Sequence, residues 1–113
     1  RWDTWDKFPL QRQKFLKLID ETNIYNIFIL SGDRHRGGFY QFKTVGNNNI
    51  YEFTSSSLNL PIPFNTEEKG PLRIGSTYRK ANFGVLRLYE DQVVMELTSD
   101  RGKVVNSLNV AIN

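Results

Sequence analysis

The sequence predicts an α/β fold: one N-terminal helix, a buried strand, then mostly antiparallel strands. Three observations predict it. Apolar residues recur near helical spacing over residues 9–21; a β-branched and aromatic run fills 24–30; short runs of strand character separated by turn residues fill much of the rest. A helix followed directly by a buried strand is the pattern of an α/β layer.

The helix reads "PLQRQKFLKLIDE". Pro9 suits the first helical position, where a missing N–H leaves no bond unmade. Leu10, Phe15, Leu18 and Ile19 form its apolar stripe, and it should end between Asp20 and Asn23. Residues 24–30, "IYNIFIL", lack alternation beyond Asn26, which predicts a strand covered on both faces. After "SGDRHRGG", residues 39–45 and 50–54 read as strands paired through the turn "GNNN" at 46–49, where Gly and Asn tolerate positive φ. Residues 55–82 have weak periodicity and hold three of the four prolines, so they read as a long functional or mobile loop. Residues 83–89 and 92–98 form a second hairpin around Glu90-Asp91, and 103–110 a last strand. No repeat of fixed period and no low-complexity tract is present.

The length, 113 residues, allows at most one domain and is sufficient for a core. With 39% hydrophobic and 24% charged residues, the composition is that of a soluble globular chain, not a disordered one. No apolar run approaches the roughly 20 residues needed to cross a bilayer. The chain opens on Arg1-Trp2-Asp3, with no initiator Met and no signal-peptide pattern, so we read it as a piece of a longer chain. Cysteine is absent, which removes disulfides and thiolate chemistry from this segment. The net charge of +3 is spread along the chain, unlike the concentrated stripe of a nucleic-acid binder. It fits an anionic small substrate, or no special role.

The chemistry concentrates just past the predicted strand end. In extended chain, Asp33 and His35 would point the same way. A carboxylate and an imidazole converging there suit a metal such as Zn, Mn or Fe. In α/β sheets ligands bind beyond the carboxyl ends of strands, and these residues lie at such an end. Gly32 would allow a sharp turn, and Gly37-Gly38 a close approach to a ligand. The same residues also fit an ordinary polar loop, and two ligands do not complete a site. Alternation would put Arg34 and Arg36 on the opposite side, where their planar forks suit phosphate oxygens or surface carboxylates. Trp2, Trp5 and Phe8 read as apolar packing where the chain enters the helix, with Asp6 near its N-terminus, or else as a stacking wall beside the site. Asn59, Glu67, Glu68, Arg73, Tyr78, Arg79 and Asn82 lie in the long loop region, where they either contact substrate or stay solvated, and the sequence does not rank them. No Gly-rich phosphate cradle, HExxH or nucleophile elbow occurs.

Taken together, "DTWDKFPLQRQKFLKLI", "FILSGDRHRGGFYQF" and "YEFTSSSLN" resemble the C-terminal part of the PhoD-like phosphatases, the alkaline phosphatase D family of the metallophosphoesterases. The late "ANFGVLRL" also looks like that family's near-terminal strand. Lys7 stands where the family commonly has Gly. The resemblance covers nearly the whole chain and rests on the joint order of the blocks. It implies the C-terminal portion of a β-sandwich flanked by helices, with residues 1–113 a partial segment of a single catalytic domain. It implies metal-dependent hydrolysis of small-molecule phosphoric esters, with the site at the strand ends. Carried over to this chain, Asp33 is a metal ligand, and His35 is a ligand or a phosphate-contacting catalytic group. Arg34, Arg36 and Asn82 are candidate phosphate contacts. The implied cofactor is a di- or polynuclear metal centre, with iron and calcium suggested and other divalent metals open. A secreted or periplasmic location is suggested on the same ground.

The family's early ligands precede this segment, so the resemblance implies that these residues supply one wall of the site and need the remainder of the parent domain. Two other readings compete. One is a non-catalytic β-rich module binding glycan or nucleic acid. The other is a structural half-domain that self-associates to cover exposed edges.

Overall fold

Apolar side chains from two sheets meet in one core, and the sequence of elements explains how. The computed structural model describes residues 5–62 and 68–112. A 3₁₀ turn, Trp5–Lys7, leads into α1, Pro9–Thr22, followed by strands β1 (Ile27–Ser31), β2 (Gly37–Lys43), β3 (Asn49–Thr54), β4 (Arg73–Tyr78), β5 (Asn82–Leu88), β6 (Gln92–Ser99) and β7 (Val104–Ala111). The first four strands form one sheet in the order β1-β3-β2-β4, and the last three an antiparallel meander, β5-β6-β7.

Both predicted hairpins form, β2 with β3 and β5 with β6, and β7 pairs antiparallel on β6. In the first sheet Phe39 lies opposite Phe53, with ring centroids 5.0 Å apart. These two rings pack against Val93, Met95, Leu97 and Val110 of the second sheet. Each such side chain contributes about 1.5–3 kcal/mol by leaving water, so this cluster dominates the stability of the pair of sheets.

Helix α1 has Pro9 at its start and ends at Asn23, whose φ of 51° is the left-handed stop that Asn tolerates. Its C-terminal turn is anchored by Asp20. That carboxylate accepts hydrogen bonds from the Thr44 hydroxyl, the Gly46 amide at 3.0 Å and the Asn48 side chain at 2.8 Å. The helix is thereby tied to the β2–β3 turn. Ile19 is its buried residue, while Leu10 and Leu18 stay exposed.

Three expectations need correction. The run 24–30 was expected to be a strand covered on both faces. The strand starts only at Ile27, because Asn23 and Asn26 both take left-handed φ and turn the chain first. It also lies at the sheet edge, half-buried, with Leu30 61% exposed, and pairs in parallel with β3. Second, the 39–45 strand stops at Lys43, since Thr44 and Asn48 close the turn between them. Third, the long loop 55–82 contains β4, which pairs with β2. Its alternation is interrupted by Gly75 at φ +67°, which masks the strand in the sequence.

Candidate functional site

The parallel pairing of β1 on β3 brings Ser31 beside Thr54, so the "SGDRHRGG" turn and the "TSSS" turn leave the sheet together. The Ser55 amide donates to the Ser31 carbonyl at 3.1 Å. The Ser31 hydroxyl donates to Glu52 at 2.6 Å and lies 2.8 Å from the Thr54 hydroxyl. Past Ser31 the chain is not extended. Asp33 and His35 take φ of 59° and 54°, in the left-handed region. The expected alternation therefore fails, and Asp33, Arg34, His35 and Arg36 all line one cleft of about 1180 Å³. Glu52, Tyr40 and Glu68 line it too, with Trp5, Arg12 and Phe15 on the helix side. Trp5 and Phe15 pack with centroids 5.2 Å apart, and Asp6 pairs with Arg12 at 3.1 Å. Trp2 lies outside the described residues. A smaller cavity of about 370 Å³, lined by residues 55–58, Phe83 and Leu86 among others, has no ionisable group in its wall. The larger cleft is the one whose wall holds ionisable groups.

His35 is held from both ends. Its backbone amide donates to the Ser56 hydroxyl at 3.2 Å, and its Nδ1 lies 2.7 Å from the Leu60 carbonyl and 2.8 Å from the Ser57 hydroxyl. A carbonyl only accepts, so Nδ1 carries a proton. In the neutral ring, Nε2 then holds the lone pair. Such a carbonyl-fixed tautomer is what orients an imidazole toward a metal. The Ser57 hydroxyl also donates to the Leu60 carbonyl, closing the group.

Asp33 is exposed at the strand end and lines the same cleft. Among the described residues its carboxylate has no hydrogen-bond or ion-pair partner. A carboxylate and an imidazole of fixed tautomer that line one cleft are donor types that metal sites use. Among the described residues no three His, Cys, Asp or Glu side chains converge closely enough to hold an ion. Two such donors do not by themselves complete a metal site.

Arg34 and Arg36 converge on Glu68. Arg34 forms an ion pair with it, Arg36 lies 3.7 Å from its Oε2, and the Tyr40 hydroxyl donates to that oxygen at 2.6 Å. The Arg34 guanidinium also sits 5.3 Å from the centre of the Tyr40 ring. Burial pushes the Glu68 carboxyl up, but the hydrogen bonds from Tyr40 and Arg34 and the two positive charges outweigh it and hold it below its usual range. Burial, aided by the bond to Glu68, pushes Tyr40 up to about 12. The phenol is therefore a fixed donor at neutral pH.

Asn82 stands apart. It is buried, with its Oδ1 accepting from the Ser55 hydroxyl at 3.1 Å and the Ser56 amide at 3.2 Å. Its Nδ2 donates to the carbonyls of Ser56 at 2.7 Å and Lys80 at 2.8 Å. Its hydrogen-bonding positions are filled, so in this arrangement it locks the serine turn to β5. Gly37, expected to let a ligand approach, instead lets the sheets meet: a Cβ there would collide with both methyls of Leu97.

Sequence reasoning left Tyr40 and Glu52 out of the candidate set and left Glu68 unranked among seven loop residues. Glu52 carried one signal, being the only charged residue of the alternating run 50–54. Comparison with curated proteins and with solved structures gives no match. The family model of the PhoD-like phosphatases matches residues 1–109, nearly the whole length, and the chain belongs to that family.

Proposed function

We propose that the protein hydrolyses phosphoric esters through a metal centre for which Asp33 and His35 are ligands. Family membership supplies the reaction class, a phosphatase. The observation that carries the residue assignment is the Nδ1 proton of His35 given to the Leu60 carbonyl, on the same cleft as the Asp33 carboxylate, which has no partner among the described residues. A bound metal would supply an activated water and a clamp on phosphoryl oxygens. Asp33 brings a hard, negative oxygen donor. His35 presents Nε2, oriented by Leu60 and Ser57. Arg34, Arg36 and the Tyr40 hydroxyl offer cationic and neutral donors to charge developing on the phosphoryl group. Asn82 enters as a positioning residue, because it fixes the serines that hold His35.

A metal takes four to eight ligands, so the remaining donors come, in this reading, from further chain of the same catalytic domain. The described residues supply one wall, and the two sheets form part of a metallophosphoesterase-type sandwich. Iron with calcium is the metal pair the family resemblance favours. The test is Asp33→Ala in the protein that carries the whole site. Bound metal measured by elemental analysis should be lost, and hydrolysis of p-nitrophenyl phosphate should fall by at least about 100-fold, beyond the range seen for outer-shell partners. Retention of both metal and activity would remove Asp33 from the site.

A second reading concerns the chain by itself. The outer edge of β1, unpaired among the described residues, and the exposed Leu10, Leu18 and Leu30 favour self-association when nothing else covers them.

A further inference from the structure

Glu68 sits where an anion would be expected. Its two carboxylate oxygens receive the Arg34 ion pair, the Tyr40 hydroxyl at 2.6 Å and the charge of Arg36 at 3.7 Å. Two of those three groups flank His35 in the chain, and the whole cluster opens on the cleft that holds Asp33. Glu68 itself arrives from elsewhere, on the connection between β3 and β4. The arginine side chains are 41% and 6% exposed, so the carboxylate partly covers a guanidinium that is otherwise inside the protein.

Guanidinium forks and a phenol hydroxyl bind phosphate oxygens by the same charge-assisted hydrogen bonds they make to a carboxylate. We propose that Glu68 is the resting occupant of an oxyanion seat built by Arg34, Arg36 and Tyr40, and that phosphate oxygens of the ligand displace it. Two anions cannot share these donors, because their like charges would meet at contact distance. Glu68 therefore weakens ligand affinity while it keeps the arginines paired in the empty cleft. The ligand class, a phosphorylated molecule, rests on the phosphoester reading; the seat itself rests on the cluster.

The alternative role for Glu68, a plain counter-ion that holds the arginines in place, predicts the opposite sign. Inorganic phosphate is titrated calorimetrically into the protein and into Glu68→Gln at matched ionic strength. Displacement predicts binding at least about fivefold tighter in Glu68→Gln, since a full competing charge is gone. Arg34→Gln should bind severalfold more weakly. Glu68→Asp, which keeps the charge but draws it back by one methylene, should tighten binding to a smaller extent and serves where Glu68→Gln does not fold. Equal or weaker phosphate binding by the folded Gln variant, or by the Asp variant in its place, overturns the seat. Ester hydrolysis is read separately, in the protein that carries the whole site. The predicted order of phosphate affinities without turnover supports the seat and removes the hydrolase reading; turnover with an unchanged phosphate affinity in Glu68→Gln does the reverse.

Discussion

One imidazole proton determines what His35 can do. With Nδ1–H given to the Leu60 carbonyl and the Ser57 hydroxyl, Nε2 is the basic nitrogen. Ser57 has φ of 72°, so the clean removal of its hydroxyl is Ser57→Gly, which accepts that backbone where alanine would strain it. Metal affinity of the protein should fall about tenfold in Ser57→Gly, the low end of the outer-shell range, because the carbonyl still holds the ring. Unchanged affinity in a metal titration would show that Leu60 suffices alone. Two positions behind His35, Gly37 makes a structural demand. Alanine there drives a methyl into Leu97 and to 3.0 Å from the Asn82 oxygen. Overpacking of this kind costs about 1–3 kcal/mol, and urea denaturation should show a loss in that range for Gly37→Ala. A neutral result would mean that the two sheets can part at this point without cost.

At the scale of elements, α1 is fastened to the first sheet chiefly through Asp20. The hydrogen bonds from Thr44 and Asn48, with one from the Gly46 amide, outweigh the effect of burial and hold its carboxyl below the ordinary aspartate value. A depressed folded pKa stabilises the fold fully above the ordinary value, and that contribution is lost as pH falls through the folded one. As pH falls below the ordinary aspartate value, the protein should therefore lose this stability, and Asp20→Asn should flatten that acid-side loss while lowering stability at neutral pH. Parallel denaturant curves across pH check both signs; an identical acid limb in the variant would clear Asp20 of the role. Which elements the sequence made legible follows from the same local physics. The hairpins were legible because alternation, turn residues and pairing lie close together in the chain. The edge position of β1 was not, since an apolar run has the same composition whether or not a neighbour covers it. Strand β4 was hidden by Gly75 and by polar neighbours. In the candidate site, Asp33 and His35 stand out by residue type and by their place at a strand end. Their backbone does not, because left-handed φ at Asp and His has no periodic signature. Tyr40, Glu52 and Glu68 come from three different segments, and only tertiary contact joins them.

For the whole molecule, the distribution of apolar surface is uneven. The faces of the two sheets that meet share Phe39, Phe53, Met95 and Leu97 as a closed core. Across the first sheet, α1 touches the β2–β3 turn through Asp20, while Phe8, Leu10 and Leu18 remain exposed and the cleft runs between helix and strands. Among the described residues no strand pairs with the outer edge of β1, beside Leu30. An edge with an exposed leucine and no charged residue in "IFILS" lacks the devices that keep strands from pairing between molecules. The 113-residue chain on its own should therefore sediment as a concentration-dependent mixture of monomer and larger species. Leu30→Lys places a charge on that edge without entering the shared core, and it should move the distribution toward monomer while leaving the far-UV circular dichroism unchanged. Phe53→Ala, by contrast, opens the core between the sheets; it should cost about 3–5 kcal/mol and make association worse. A 113-residue chain that sediments as a monomer at high concentration would overturn the expectation of association through this edge. Association that persists undiminished in Leu30→Lys would instead place the sticky surface on α1, where Leu18→Lys is the corresponding test.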